Sequence, residues 1–122
     1  MIGLEACMNV IIWHNPRCSK SRSGLALVEG EGIEPTIVRY LEEPPTAEEL
    51  DRVLKLLDMA PRDLMRRKEA IYKELGLNDE NLTRSQLIAA MVENPKLIER
   101  PVVIKGDRAA LGRPPEAILE IL

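Results

Sequence analysis

Asn9-Val-Ile-Ile-Trp-His-Asn-Pro-Arg-Cys18-Ser-Lys-Ser-Arg-Ser-Gly-Leu-Ala-Leu-Val-Glu-Gly30 is the stretch on which the fold turns. Its first five residues are a short apolar run rich in β-branched side chains. Asn15 and Pro16 bound the run, and it reads as a buried strand. Beyond Cys18, Leu25, Leu27 and Val28 fall on a helical pattern that stops at Gly30 and Gly32. Pro35-Thr-Ile-Val-Arg-Tyr40 reads as a second strand. Two strands joined by a helix make a βαβ unit, and such crossovers are almost always right-handed.

Further along, Pro44-Pro45-Thr46 opens a helix with Thr46 as N-cap and Glu49 at the capping-box spacing. Leu50, Val53, Leu54 and Leu57 give it an apolar stripe. A charged helical stretch is expected from Pro61 to Leu75, and Thr83 starts another capped helix carrying Leu87, Ile88, Met91 and Val92. Arg100-Pro101-Val-Val-Ile104 reads as a strand, with a hairpin turn at Lys105-Gly106-Asp107 and a return over Arg108–Leu111. Pro114 to Leu122 closes the chain as a short helix, with proline at its start where a missing N–H costs little. The order β-α-β, helices, β-β-α predicts an α/β fold: a thioredoxin-like mixed sheet with an inserted helical subdomain at about 46–95. Residues 1–8 read as an N-terminal extension ahead of a single domain over 9–122, with Met8 as an alternative start. Glu5 falls where a secretory signal would need apolar residues, so a cytoplasmic protein is expected.

Composition narrows the chemistry. The 122 residues are 45% hydrophobic and 30% charged, the balance of one soluble globular domain. A net charge of −3 argues against duplex nucleic acid held by general electrostatics. The aromatics are Trp13, Tyr40 and Tyr72 with no Phe, too few for a base-stacking surface. No apolar run approaches the roughly 20 residues of a membrane helix. Two cysteines and one histidine exclude a disulfide scaffold and leave no basis for a protein-only zinc site. Cysteine or histidine chemistry therefore rests on Cys7, His14 and Cys18.

Cys18 falls where the strand has ended, a proline-stiffened turn has followed and the helix begins. Unsatisfied N–H groups and the positive end of the helix dipole converge there. The thiolate is the nucleophile, and such a terminus beside cations can bring its pKa from about 8.5 into the range ~3.5–7.5. Arg17, Lys20 and Arg22 are the local sources of positive charge, with His14 as a further candidate, and backbone N–H groups at a helix start make an oxyanion pocket. Cys7 reads as a tail residue without a role. No Cys-x-x-Cys pair exists, because Ser21 stands where a second cysteine would be. Ser21 either hydrogen-bonds the thiolate or serves the first helical turn, and Arg22 either caps locally or joins the site. His14 is either a packed strand-end residue or a neighbour that tunes Cys18.

His14-Asn-Pro-Arg-Cys18-Ser-Lys-Ser21-Arg22 resembles the His-Asn-Pro-x-Cys-x-x-Ser-Arg motif of the glutaredoxin-coupled ArsC arsenate reductases. The resemblance runs from about Val10 to Leu122. It takes in Glu34-Pro-Thr-Ile-Val-Arg-Tyr-Leu-Glu-Glu-Pro-Pro45, Glu74-Leu-Gly-Leu77, Glu93-Asn-Pro95, Arg100-Pro101-Val-Val and Gly112-Arg-Pro-Pro115, and the chain is most like the family's short members. It implies that Cys18 attacks arsenate, that His14 helps keep Cys18 ionised, and that Arg66, Arg100 and Arg113 hold the oxyanion. It implies supporting positions at Asn15, Ser21, Arg22 and Pro101, with Arg100-Pro101 as a cis bond. Guanidinium forks suit a tetrahedral oxyanion, although Arg66 lies in a like-charged run, Arg66-Arg67-Lys68, of the kind that forms a solvated helix face.

With one working thiol, the chain cannot close its own disulfide to complete a reduction. The family scheme supplies glutathione and glutaredoxin as external reductants, and no bound metal, flavin or nucleotide. Arsenate, glutathione and glutaredoxin are thus the implied partners of a soluble monomer that uses neither nucleic acid nor membrane. Two other readings share the fold and motif. One is an Spx-like regulator that binds RNA polymerase, against which Ser21 counts because those regulators commonly carry a Cys-x-x-Cys switch. The other is a related thiol transferase on another substrate, since Arg17 and Lys20 are more cationic than the residues flanking the cysteine in the family's long members.

Overall fold

The computed structural model describes residues 9–122; the expected extension, with Cys7 and Met8, lies outside the described residues. Contacts divide the chain into two units. One comprises the described residues up to Tyr40 together with Arg100–Leu122, and the other is Leu41–Glu99. The second unit is helical.

The first unit is built on four strands: β1 (Val10–Trp13), β2 (Thr36–Val38), β3 (Val102–Lys105) and β4 (Arg108–Leu111). Their order across the sheet is β2-β1-β3-β4. β1 runs parallel to β2, with Ile12 opposite Ile37, and antiparallel to β3, with Ile12 opposite Val103. β3 and β4 form the expected hairpin, and Gly106 in its turn takes a left-handed φ of 60°. Helix α1 (Ser19–Gly30) is the crossover between β1 and β2. It ends as the glycines imply: Gly32 adopts φ 77° and its N–H reaches the Glu29 carbonyl at 3.0 Å.

Strand alternation sorts the side chains. Val10, Ile12 and Val103 fall on one face and pack with Val28 of α1 and with Ile118 and Ile121. Each such aliphatic side chain contributes roughly 1.5–3 kcal/mol when fully buried. The chain end expected to be a helix is a 3-10 segment, Pro115–Glu120, packed on α1. Its C-terminal end is tied back by Lys105 Nζ, which donates to the Leu122 carbonyl at 2.9 Å. The Arg100–Pro101 bond is cis, as the resemblance implies, and Arg113–Pro114 is cis as well.

In the helical unit, α2 (Ala47–Leu57) starts at Thr46, whose Oγ1 accepts the Glu49 N–H at 3.1 Å. Helix α4 (Arg84–Glu93) starts with a full capping box between Thr83 and Gln86. Leu50, Val53 and Leu54 of α2 and Leu87 and Met91 of α4 are buried where these helices meet. The continuous helix expected over 61–75 is broken. A 3-10 turn, Pro61–Leu64, is followed by extended chain and then by short α3 (Ala70–Glu74). Tertiary pairing overrides the local pattern here. Met65 forms an antiparallel bridge to Ile98, the Arg66 N–H donates to the Leu97 carbonyl at 2.7 Å, and the Glu99 N–H donates to the Leu64 carbonyl at 2.8 Å. No helix among the described residues is long and apolar enough to cross a membrane.

Candidate active site

The turn between β1 and α1 is held almost entirely by its own short side chains. The Cys18 N–H donates to the Asn15 carbonyl at 3.0 Å, closing a turn with Pro16 at its second position. Asn15 Oδ1 accepts the Arg17 N–H at 3.0 Å. The Arg22 guanidinium reaches back from α1 to the Pro16 carbonyl at 2.9 Å, so Arg22 braces the loop. Cys18 is the N-cap of α1, with extended φ and ψ and partial exposure, which leaves its sulfur approachable.

Ser21 is fully buried and is the hub of this turn. Its Oγ accepts the Asn15 N–H at 2.9 Å and pairs with His14 Nδ1 at 2.7 Å. His14, 5% exposed, is fastened to β2 by its own N–H, which donates to the Val38 carbonyl at 2.9 Å. Burial first, and then the nearby Arg39 cation, hold its imidazole below the ordinary 6.5; the hydrogen bond with Ser21 pulls the other way without prevailing. His14 is therefore neutral at pH 7, and its side chain is committed to the Ser21 hydroxyl.

Partial burial pushes the Cys18 thiol up, but the surrounding donors more than reverse it, and its pKa lies below the ordinary value. The N–H of Ser21 lowers it most, followed by the Arg100 guanidinium through a hydrogen bond and its charge, with a further contribution from the Lys20 N–H. Backbone N–H groups at the helix start and the Arg100 cation therefore set the direction, where the sequence pointed to the charges of Arg17, Lys20, Arg22 and His14. Arg17 and Lys20 are exposed on either side of the cysteine.

Arg100 is buried, with 9% of its surface exposed, and precedes the buried Pro101. Arg113 is half-buried between Gly112 and the cis Pro114. The structure thus brings Cys18, Ser21, His14, Asn15, Arg22 and Arg100 into one connected set. Arg66 belongs to the helical unit, where its guanidinium pairs with Glu69 at 2.5 Å and with Glu99 at 3.8 Å. Two contributors escaped the sequence reading. Arg39 acts on His14 from the far end of β2, which no local pattern reveals. Gly24 lies buried inside α1, and a glycine within a helical pattern was the available cue to a close approach. Among the described residues no group of three or more His, Cys, Asp or Glu could hold a metal ion.

A mixed sheet with α1 crossing between parallel strands, and a cysteine at the start of that helix, defines a thioredoxin-like fold. The ArsC family matches over residues 13–121, and the chain belongs to that family. It is 49% identical over 116 residues to the arsenate reductase of Haemophilus influenzae, covering 94% of this chain and all of that protein. It is 54% identical over 114 residues to the uncharacterized protein YfgD of Escherichia coli, covering 93% of this chain and 96% of that one. The solved structure of an arsenate reductase from Vibrio cholerae superposes with a TM-score of 0.91 at 53% identity, covering 94% of this chain and 98% of that one.

Proposed function

We propose that the chain is an arsenate reductase that draws its electrons from glutathione and glutaredoxin. The observation that carries this reading is the Cys18 thiol, brought below its ordinary pKa by Ser21, Arg100 and Lys20. The 49% identity to a named arsenate reductase supplies the substrate class. The thiolate attacks arsenic, and one arsenate oxygen leaves as water after taking up protons. Guanidinium groups make that loss feasible by neutralising the oxyanion, a task that falls by motif to Arg66, Arg100 and Arg113. Glutathione then displaces a second oxygen and leaves arsenic bound to two sulfurs. A glutaredoxin thiolate attacks the glutathione sulfur, forming a glutathione–glutaredoxin disulfide. The electron pair of the broken sulfur–arsenic bond stays on arsenic, which becomes arsenic(III). Water releases arsenite and returns Cys18. The scheme suits an enzyme of the cytoplasm, where glutathione is kept reduced.

Parallel assays of arsenite release with each thiol system test it. Turnover is expected with glutathione plus glutaredoxin, and Cys18→Ser should abolish it while Cys7→Ser leaves it intact. Complete turnover on thioredoxin alone would overturn the coupling. Stable capture of RNA polymerase without any arsenate turnover would move the protein to the regulator class.

A further inference from the structure

Glycine inside a helix costs roughly 0.5–1 kcal/mol relative to alanine, yet α1 holds Gly24 at a buried position. A Cβ there would lie 2.7 Å from Pro101 Cγ and 3.0 Å from Ile118 Cδ1. Gly112, just past β4, meets the same two atoms: a Cβ there would lie 2.7 Å from Pro101 Cγ and 2.9 Å from Ile118 Cδ1. Its N–H also donates to the Pro101 carbonyl at 2.9 Å. The pyrrolidine ring therefore occupies space that a side chain at either glycine would claim. The partners joined by this contact matter. Pro101 follows Arg100, whose guanidinium lowers the Cys18 pKa, and α1 carries Cys18 at its start.

We infer that Gly24 and Gly112 are positioning residues: by admitting the Pro101 ring between α1 and the end of β4, they set the Arg100 guanidinium against the Cys18 sulfur. Neither glycine touches substrate. A methyl group at either position displaces Pro101, and Arg100 moves with it. The inference rests on the reading of Cys18 as an activated thiolate, but its test needs no arsenate.

The test is the pH dependence of Cys18 alkylation in the intact chain carrying Cys7→Ser, measured alongside thermal melts. Gly24→Ala and Gly112→Ala should each raise the Cys18 midpoint by about one pH unit, the order expected for a weakened charge-assisted hydrogen bond. Gly30→Ala is the matched control on the same helix, because a Cβ there meets nothing within 4 Å. Val10→Ala, a large-to-small change in the core at the far end of β1, should lower the melting temperature and leave the midpoint alone. Glycine variants that fold and titrate with the parent would overturn the inference, as would a Val10→Ala shift as large as theirs. Loss of the fold in both glycine variants would assign the close packing to stability and overturn it too. A parent midpoint at the ordinary cysteine value is a different result, and it sinks the reading of the site itself.

Discussion

Arg100 and Arg66 are the same side chain in opposite settings. In the sheet unit, Arg100 is buried, and its guanidinium lowers the pKa of the Cys18 thiol. In the helical unit, Arg66 keeps about a third of its side chain exposed and is answered by the carboxylates of Glu69 and Glu99. A buried guanidinium beside a thiol changes the chemistry of that thiol. A half-exposed one between carboxylates is close to neutralised, and a second anion must compete for it. The two arginines are therefore expected to answer differently to substitution.

Substituting each arginine separately tests that division, and the largest effect belongs to Arg100. Arg100→Gln should lift the Cys18 alkylation midpoint by about one to two units, because a hydrogen bond to a charged group is worth roughly 1.5–3 kcal/mol. It should lower kcat/KM for arsenate by about a hundredfold or more, as loss of an oxyanion donor does. The stability link has a definite sign. The folded pKa of Cys18 lies below its unfolded value, so the thiolate stabilises the fold fully above the unfolded pKa. That contribution is lost as pH falls through the folded one, and Arg100→Gln narrows the window. Arg66→Ala should raise KM about tenfold, the scale of one binding contact, without moving the midpoint. Equal midpoint shifts in the two variants would erase the distinction.

Within the sheet unit, Ser21 separates the contribution of backbone from that of side chain. Its N–H faces the thiol, whereas its hydroxyl is committed to His14 and to the Asn15 N–H. Ser21→Ala keeps the first and deletes the second. Unfolding in denaturant should show a loss of about 1–3 kcal/mol, the cost of stranding buried polar partners, with the Cys18 midpoint held within about half a unit. A large midpoint shift at unchanged stability would make the hydroxyl the thiolate's donor.

What was legible in the sequence divides along the same line. β1, α1 and the caps at Thr46 and Thr83 rest on neighbours a few residues away, so alternation, glycine stops and capping spacing reveal them. Cys18 at a helix start is likewise a local fact. The failures are non-local. Met65 and Arg66 leave the helical pattern because Leu97 and Ile98 offer backbone partners from a distant segment. Pro101 fits only because Gly24 and Gly112 are both bare, a match of three separated positions that no window contains. In sequence His14 stands as a candidate cation or as a packed strand-end residue, whereas its burial and the approach of Arg39, which keep it neutral, are products of the fold.

That last difference gives the smallest expected effect and the finest test of the sheet unit. A histidine whose folded pKa lies below its unfolded value binds fewer protons when folded, so stability rises with pH wherever the two states differ. Above the ordinary 6.5 both states are neutral and His14 contributes no slope. As pH falls below that value, the unfolded chain takes up a proton that the folded chain refuses. Stability then declines until the folded pKa is reached, with a slope bounded at about 1.4 kcal/mol per pH unit. His14→Asn keeps a polar group beside Ser21 and removes the titration. Denaturant unfolding from pH 5 to 7 should therefore show a shallower slope below 6.5 in the variant and parallel curves above it. Parallel curves over the whole range would mean that folding leaves the protonation of His14 unchanged, and charge on the imidazole would return as a direct contributor at Cys18. A slope that steepens in the variant would reverse the sign and place a hidden anion beside the ring.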